Sequence, residues 1–379
     1  MDPIGSHVTI GIGPTLPVPM PQPLTDAFQQ ATISHTDDGH SGFQITFGSG
    51  REGIAGLIDS PILSSQLLRP FNRVLIVLTT GPFPTVLMDG VITHQQVNPS
   101  NEAGASTVSI TGEDMSALMD LHEMSSELVG QEDSVAAALI IAQYATYGVV
   151  PAVLPPPVID PPLPIDRTPV QLETDLGHLR TMAQRYGYVF FVAPGPAPGM
   201  STGYWGPPPR IGVPQRALSV GMGPHSNVDS LNFQNDARAP AIVEGEVVDP
   251  NLGSSLPVMT FASTRPPLAA EPAILVNQPH VRRLQFRESG YAYPQAMARA
   301  QGTTDASTDV VTATGEIDGN RYGGALQARS IVGVRGAGFE NDGFYYVKQV
   351  EHTVKRGSYR QSFTLTREGT GSITPVVVP

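Results

Sequence analysis

The chain has 379 residues, 40% hydrophobic and only 15% charged, with 39 glycines, 37 prolines and a formal net charge of −12. That length supports two to four domains and more than one core. The absence of cysteine excludes disulfides, thiolate nucleophiles and Cys-ligated zinc. The acidic balance argues against duplex DNA or an anionic membrane as a partner bound through surface charge, because both require cationic patches.

Residues 1–25 read as a proline-rich extended arm, with prolines at 3, 14, 17, 19, 21 and 23. They show no basic n-region followed by an apolar core, so no secretory leader is expected there. Phe43, Ile45 and Phe47 alternate with polar residues, the period of a half-buried strand. Residues 73–80 form a near-continuous apolar run read as a buried strand, still far short of a membrane span of about 20 residues. Strands over 86–94 and 106–111, with turn material at 98–104, complete a meander.

The pattern then changes. Residues 113–121 suggest a short helix. Asp133 or Ser134 is expected to cap an alanine-rich helix that runs to about Tyr147 and stops at Gly148. After a proline-dense loop at 151–164, Thr168 with Pro169 at the first position predicts a helix start. Leu172, Leu176, Leu179, Met182 and Ala183 would form its apolar face. Gly187 ends it, and 188–192 is an aromatic, β-branched strand. Strands return at 230–233 and 241–248. Residues 263–302 read as a loop-rich insertion with one helix near 294–300, and 327–366 is strand-dense.

One segment echoes another. Val91-Ile92-Thr93-His94, a polar loop and Val108-Ser109-Ile110-Thr111 have a counterpart in Val350-Glu351-His352, a short loop and Phe363-Thr364-Leu365-Thr366. Each is preceded by an apolar strand, 74–78 and 331–334. Aligning His94 with His352 suggests a repeated strand–turn–strand–loop–strand unit, with both histidines on an exposed face.

No catalytic constellation emerges. There is no His-Glu-x-x-His helix, no Gly-x-Ser-x-Gly turn and no Walker loop. His35, Asp37, Asp38 and His40 form the most metal-like cluster, but a hairpin turn rich in Asp and Gly accounts for it. Glu244 and Glu246 alternate with valines as a solvent-facing pair. Trp205, the single tryptophan, is either an interface anchor or a lid over the local core. Only Lys348 and Lys355 are lysines; the arginine bias reflects either genome composition or fixed pairing. No catalytic, cofactor-binding or metal residue is assigned.

Several stretches in order resemble the phage late-control protein D family, which includes baseplate hubs of contractile phages and the hub portion of VgrG-like spike proteins. Ser109-Ile110-Thr111-Gly112-Glu113-Asp114 followed by Leu118 is similar to its strand-to-helix junction. Leu176-Gly177-His178-Leu179-Arg180-Thr181-Met182-Ala183-Gln184-Arg185-Tyr186-Gly187-Tyr188-Val189-Phe190 is similar to its helix-to-strand segment. Asp342-Gly343-Phe344-Tyr345-Tyr346-Val347 with Val350-Glu351-His352, then Tyr359, Phe363, Leu365 and Arg367, carries the rest.

The resemblance implies a mainly β (α+β) fold in which two similar small tube-forming β-barrels flank a mixed α/β region. It also implies a homotrimeric ring with pseudo-six-fold symmetry around a channel, with no enzyme activity and no cofactor. The expected partners are a tail tube protein above, a separate spike protein below and other baseplate components, with assembly in the bacterial cytoplasm into a virion or injection particle. The expected divisions are the arm 1–25, a first barrel 26–122, a mixed α/β domain 123–226, a second barrel from 227–262 and 303–368, an insertion 263–302 and a tail 369–379. The competing readings are a β-rich adhesin or carbohydrate-binding module, and a tail-associated cell-wall hydrolase.

Overall fold

The computed structural model describes residues 7–374 apart from 38, 49–64, 81–82, 101–104, 129 and 159–168. The first part is β1 (His7–Gly13), β2 (Val18–Pro19), α1 (Gln22–Ala27), β3 (Phe28–Thr36), β4 (Gly42–Gly48), β5 (Arg73–Thr80), β6 (Phe83–Asn98) and β7 (Thr107–Asp114). Residues 7–27 are therefore not an extended arm. Ile10 and Ile12 alternate into the core, and β1 pairs with β5 over its whole length. The described prolines lie beyond that strand: Pro14 and Pro17 in the turn after it, Pro19 in the short edge pair, and Pro21 and Pro23 at the start of α1, where a missing N–H costs least.

The middle part holds β8 (Ser126–Glu127), α2 (Asp133–Ala142), β9 (Val149–Val153), β10 (Val170–Gln171), α3 (Asp175–Gln184), β11 (Val189–Pro194) and β12 (Ser201–Gly206). Three helix boundaries differ from the sequence reading. The stretch at 113–121 continues β7 to Asp114 and then turns into a 3-10 helix, Met115–Asp120, capped by the Asp114 carboxylate. The alanine-rich helix becomes 3-10 from Gln143, and Gly148 ends it with φ +86°. The cap of α3 is Thr174, whose hydroxyl accepts from Gly177 N at 3.1 Å. Val170–Gln171 is instead a short strand, and Leu172 is exposed; Thr168 lies outside the described residues. Leu176, Leu179, Met182 and Ala183 are buried as their spacing predicts.

There follow β13 (Gln215–Ser219), β14 (Val228–Asn235), β15 (Ala241–Asp249), β16 (Ser254–Met259), β17 (Ala269–Pro272), α4 (Ala273–Val276), β18 (Arg282–Gln285), α5 (Tyr293–Ala306), β19 (Val311–Asp318), α6 (Gly319–Tyr322), β20 (Ile331–Arg335), β21 (Gly343–Lys355), β22 (Ser358–Arg367) and β23 (Gly369–Ser372). Here the divisions shift again. β15 and β16 join β18 in a separate three-stranded sheet rather than the main one, over a small core of Val243, Val247, Val258, Ala296 and Ala300 under α5. Residues 282–306 thus pack with 241–259 instead of interrupting a barrel, whereas β17 pairs with β23 at 369–372.

The main sheet runs in the order β14-β19-β22-β21-β3-β4-β7-β6-β5-β1-β2, with β20 on β21 and β13 on β20. Its two halves meet where β21 pairs antiparallel with β3. Each half covers its own apolar cluster, and the α/β region covers a third around Trp205. The tryptophan is fully buried, its indole N–H donating to Leu179 O at 3.0 Å, so it is a core residue.

The echo between the two meanders is present in the pairing, three residues away from its expected alignment. In the first, Val91 of β6 pairs with Arg73 on one side and Glu113 on the other. In the second, Tyr346 of β21 pairs likewise with Ile331 and Thr366. Just beyond, both middle strands bulge, between Ile92 and His94 and between Val347 and Gln349. The rows then continue in step: Gln95–Ile110–Ile45–Ala31 in the first half corresponds to Val350–Phe363–Gly315–Leu231 in the second. His94 therefore matches Gln349, and His352 matches Val97. An offset of an odd number of residues moves a side chain to the opposite face of a sheet, so His94 is exposed whereas His352 is buried.

Candidate functional site, a polar sheet face and its central joint

The two faces of the main sheet differ in chemistry. One row across six strands reads Arg360, Thr353, Thr32, Gln44, Thr111 and His94. The neighbouring row reads Gln361, His352, Ile33, Phe43, Gly112 and Ile92, and its apolar members build the core. The outer face repeats this composition along its length. Ser34 lies opposite Glu351, Ser362 opposite Glu316, and Thr364 opposite both Thr314 and Gln349. Near β14 it dips into a shallow depression of about 410 Å³ lined by Asn232, Thr314, Glu351 and Ser362 among others. Hydroxyl and amide side chains on this face can hold water.

The joint between the halves is pinned by Arg329, which precedes β20 and has φ +62°. Its guanidinium donates to Thr36 O (2.7 Å) and Ser41 Oγ (2.6 Å) in the first half and lies 4.0 Å over the Phe191 ring of the α/β region. One side chain thus ties three parts of the chain. Burial lowers its pKa, while Asp114, Tyr346 and Asp37 favour its charge. The isolated sequence gave no signal for this arginine, because its partners lie up to 293 residues away.

Beside it sit His35 on β3 and His352 on β21, with ring centroids 5.9 Å apart. His352 Nδ1 is 2.9 Å from the Tyr359 hydroxyl. Burial is the main cause that brings His352 down to about 4. Burial also lowers His35 strongly, aided by the charge of Arg329 and by His352. Both rings are therefore neutral at pH 7. They border a cavity of about 250 Å³ with Leu87, Phe191 and Leu326.

The metal-like cluster of the sequence is dispersed. His35 faces the joint, whereas His40 is exposed, 3.1 Å from Glu113; Asp38 lies outside the described residues. Among the described residues no group of three His, Asp or Glu is placed to hold a metal. Glu244 pairs with Arg283 at 3.3 Å on the small sheet, and Glu246 accepts from Ser255. The arginines serve chiefly as fixed donors: Arg210 joins Asp309 and Glu368, and Arg367 donates to Asp342 O. A larger apolar pocket of about 700 Å³ lies between the α/β region and α5, walled by Tyr186, Tyr188, Tyr204, Pro208 and Met297.

No protein-family model matches the chain, and no curated protein matches its sequence. Solved structures do match its fold. A tail protein from Neisseria meningitidis MC58 superposes with TM-score 0.60 at 14% identity, covering 97% of this chain and 98% of that one. The 43 kDa tail protein of prophage MuSo2 from Shewanella oneidensis gives 0.63 at 12% identity, over 96% and 98%. An Escherichia coli type VI secretion component, itself described as similar to T4 bacteriophage tail proteins, gives 0.51 at 13%, over 93% and 77%. The chain thus has the mainly β fold of phage tail proteins and of a type VI secretion component, in agreement with the mainly β class that the resemblance implied. Among the described residues no helix is long and apolar enough to cross a membrane.

Proposed function

We propose that this chain is a structural baseplate hub of a phage tail or contractile injection system. In this reading it forms a homotrimer in which the two matched halves of each chain act as tube-like barrels. Six similar units then surround a channel and join a six-fold tail tube above to a separate three-fold spike below. The α/β region and the unit at 241–306 stand outside the ring, towards other baseplate components. The observation that carries the reading is the repeated meander within one continuous sheet whose outer face is polar along both halves. A duplicated unit is what a three-fold particle needs to present six near-equivalent positions. The tail-protein folds of the solved structures support the same role.

The test is the native mass of the purified chain, with negative-stain images of the same fraction. Three copies of the 40.2 kDa chain, about 121 kDa, as rings with a central hole are expected. A monomer that stays monomeric with candidate tube and spike proteins, and binds a glycan instead, would replace the hub by the binding-module reading.

A further inference from the structure

The tyrosines that wall the pocket beside α5 turn rings rather than free hydroxyls towards it. Tyr186 donates to Asp133 Oδ2 (2.9 Å), Tyr188 to Pro155 O (3.0 Å) and Tyr204 to Pro207 O (2.6 Å). Other side-chain donors in the wall are committed as well. Gln301 Nε2 donates to Ala262 O and to Asp305 Oδ1, and Thr264 Oγ1 donates to Asp305 Oδ2. Arg210 is held by Asp309 and Glu368, and its unpartnered Nε is closed off from solvent. Arg265 is the exception.

Arg265 stands in the same wall, half-buried. Among the described residues its guanidinium makes one hydrogen bond, from Nη2 to Gly187 O at 3.0 Å, and no ion pair. Asp305 is already filled by Ser263, Thr264 and Gln301, and Asp309 faces Arg210. Burial lowers the Arg265 pKa and the charge of Arg210 lowers it further, which Asp309 and Asp305 offset only in part. The wall therefore sets one guanidinium with unused donors beside about 700 Å³ of mostly apolar space. That volume lies within the roughly 300–1,000 Å³ of small-molecule sites.

We infer that this pocket binds a small apolar carboxylate, an aryl or medium-chain acyl acid, whose anion pairs with Arg265 and whose body lies against Tyr188, Tyr204 and Met297. A guanidinium offers parallel donors that match the two oxygens of a carboxylate. A dianionic phosphate would bring two charges to one cation. An extended peptide fits the wall poorly, because each buried amide needs a partner and the wall's own side-chain donors are already bonded. One side of the pocket comes from the α/β region, through Tyr188 and Tyr204, and the other from α5, to which Thr264 is tied through Asp305. The bond from Arg265 to Gly187 O already crosses this seam. A bound acid would close it further and fasten α5 to the α/β region. The site does not depend on the hub reading.

Calorimetric titration of the full-length chain with octanoate and phenylpropanoate tests the site, with octanamide, phenylpropanamide and acetate as comparisons. Each acid should bind once per chain, acetate should not bind, and each amide should bind at least about tenfold more weakly than its acid. In Arg265→Gln the acids should fall to the level of the amides while the amides keep their affinity, and Arg265→Lys should retain most of the preference. Hydrogen exchange in saturating octanoate should slow at 186–188, 204–206 and 297–301. No binding of either acid up to its solubility limit overturns the site. Equal affinity of acid and amide for the unsubstituted chain overturns the ion pair without recourse to any variant. So does an equal loss of both in Arg265→Gln, the result expected of an arginine that only supports the wall. Binding without slowing at either wall puts the ligand elsewhere and overturns the assignment. Tighter binding of acetyl-trileucine than of either acid also overturns it, marking the pocket as a seat for the end of a partner chain. None of these results alters the native mass by which the hub reading is judged.

Discussion

His352 shows how position within the repeat sets a side chain's chemistry. Its counterpart Val97 lies at an open edge, while His352 is enclosed by the joint and held neutral, its pKa brought from the ordinary 6.5 down to about 4. The linkage has a definite sign. Between these values the unfolded chain binds a proton that the folded chain does not, so stability falls as pH drops from 6.5 to about 4, by about 1.4 kcal/mol per pH unit where the difference is complete. Above 6.5 this group contributes no pH dependence. His35, lowered by the same burial and by Arg329, acts in the same direction. A His352→Gln variant should therefore show a shallower loss of stability on acidification, with part of the slope left to His35. Urea midpoints measured from pH 7.5 to 4.5 for both proteins check this, and parallel curves would refute it.

At the scale of elements, the pairing of β6 with β7 depends on a close approach. A Cβ on Gly90 would lie 2.0 Å from Glu113 O, a backbone atom that cannot swing aside. Gly90→Ala is expected to cost roughly 2–3 kcal/mol, as overpacking of fixed neighbours does, read as a lower urea midpoint at unchanged slope. Gly324, where an added Cβ would meet nothing within 4 Å, supplies the comparison: Gly324→Ala should stay within about 0.5 kcal/mol of the parent. Equal losses at both sites would remove the steric account.

The strands most legible in the sequence were those whose period shows one buried face. Arg73–Thr80 and the alternation of Phe43, Ile45 and Phe47 fall where they were expected. β1 was hidden because the prolines after it outweighed the alternation of Val8, Ile10 and Ile12. Thr174 and Thr168-Pro169 both have the chemistry of a helix start, and only the tertiary pairing of Val170–Gln171 with Ser126–Glu127 separates them. β15 and β16 look like any other strands; their assignment to a separate sheet depends on α5, which no local pattern connects to them. The joint itself was illegible, since Arg329, Thr36 and Ser41 meet only through the pairing of β3 with β21.

Across the whole molecule the cores are unequal, and stability should follow them. The two clusters beneath the main sheet each gather many fully buried side chains, whereas the unit under α5 has only Val243, Val247, Val258, Ala296 and Ala300 at its centre. Local opening free energy rises with buried apolar contact, so amides of β15 and β16 should exchange with solvent sooner than those of β21 and β22. Earlier exchange in β21 and β22 than in β15 and β16 would refute this ordering.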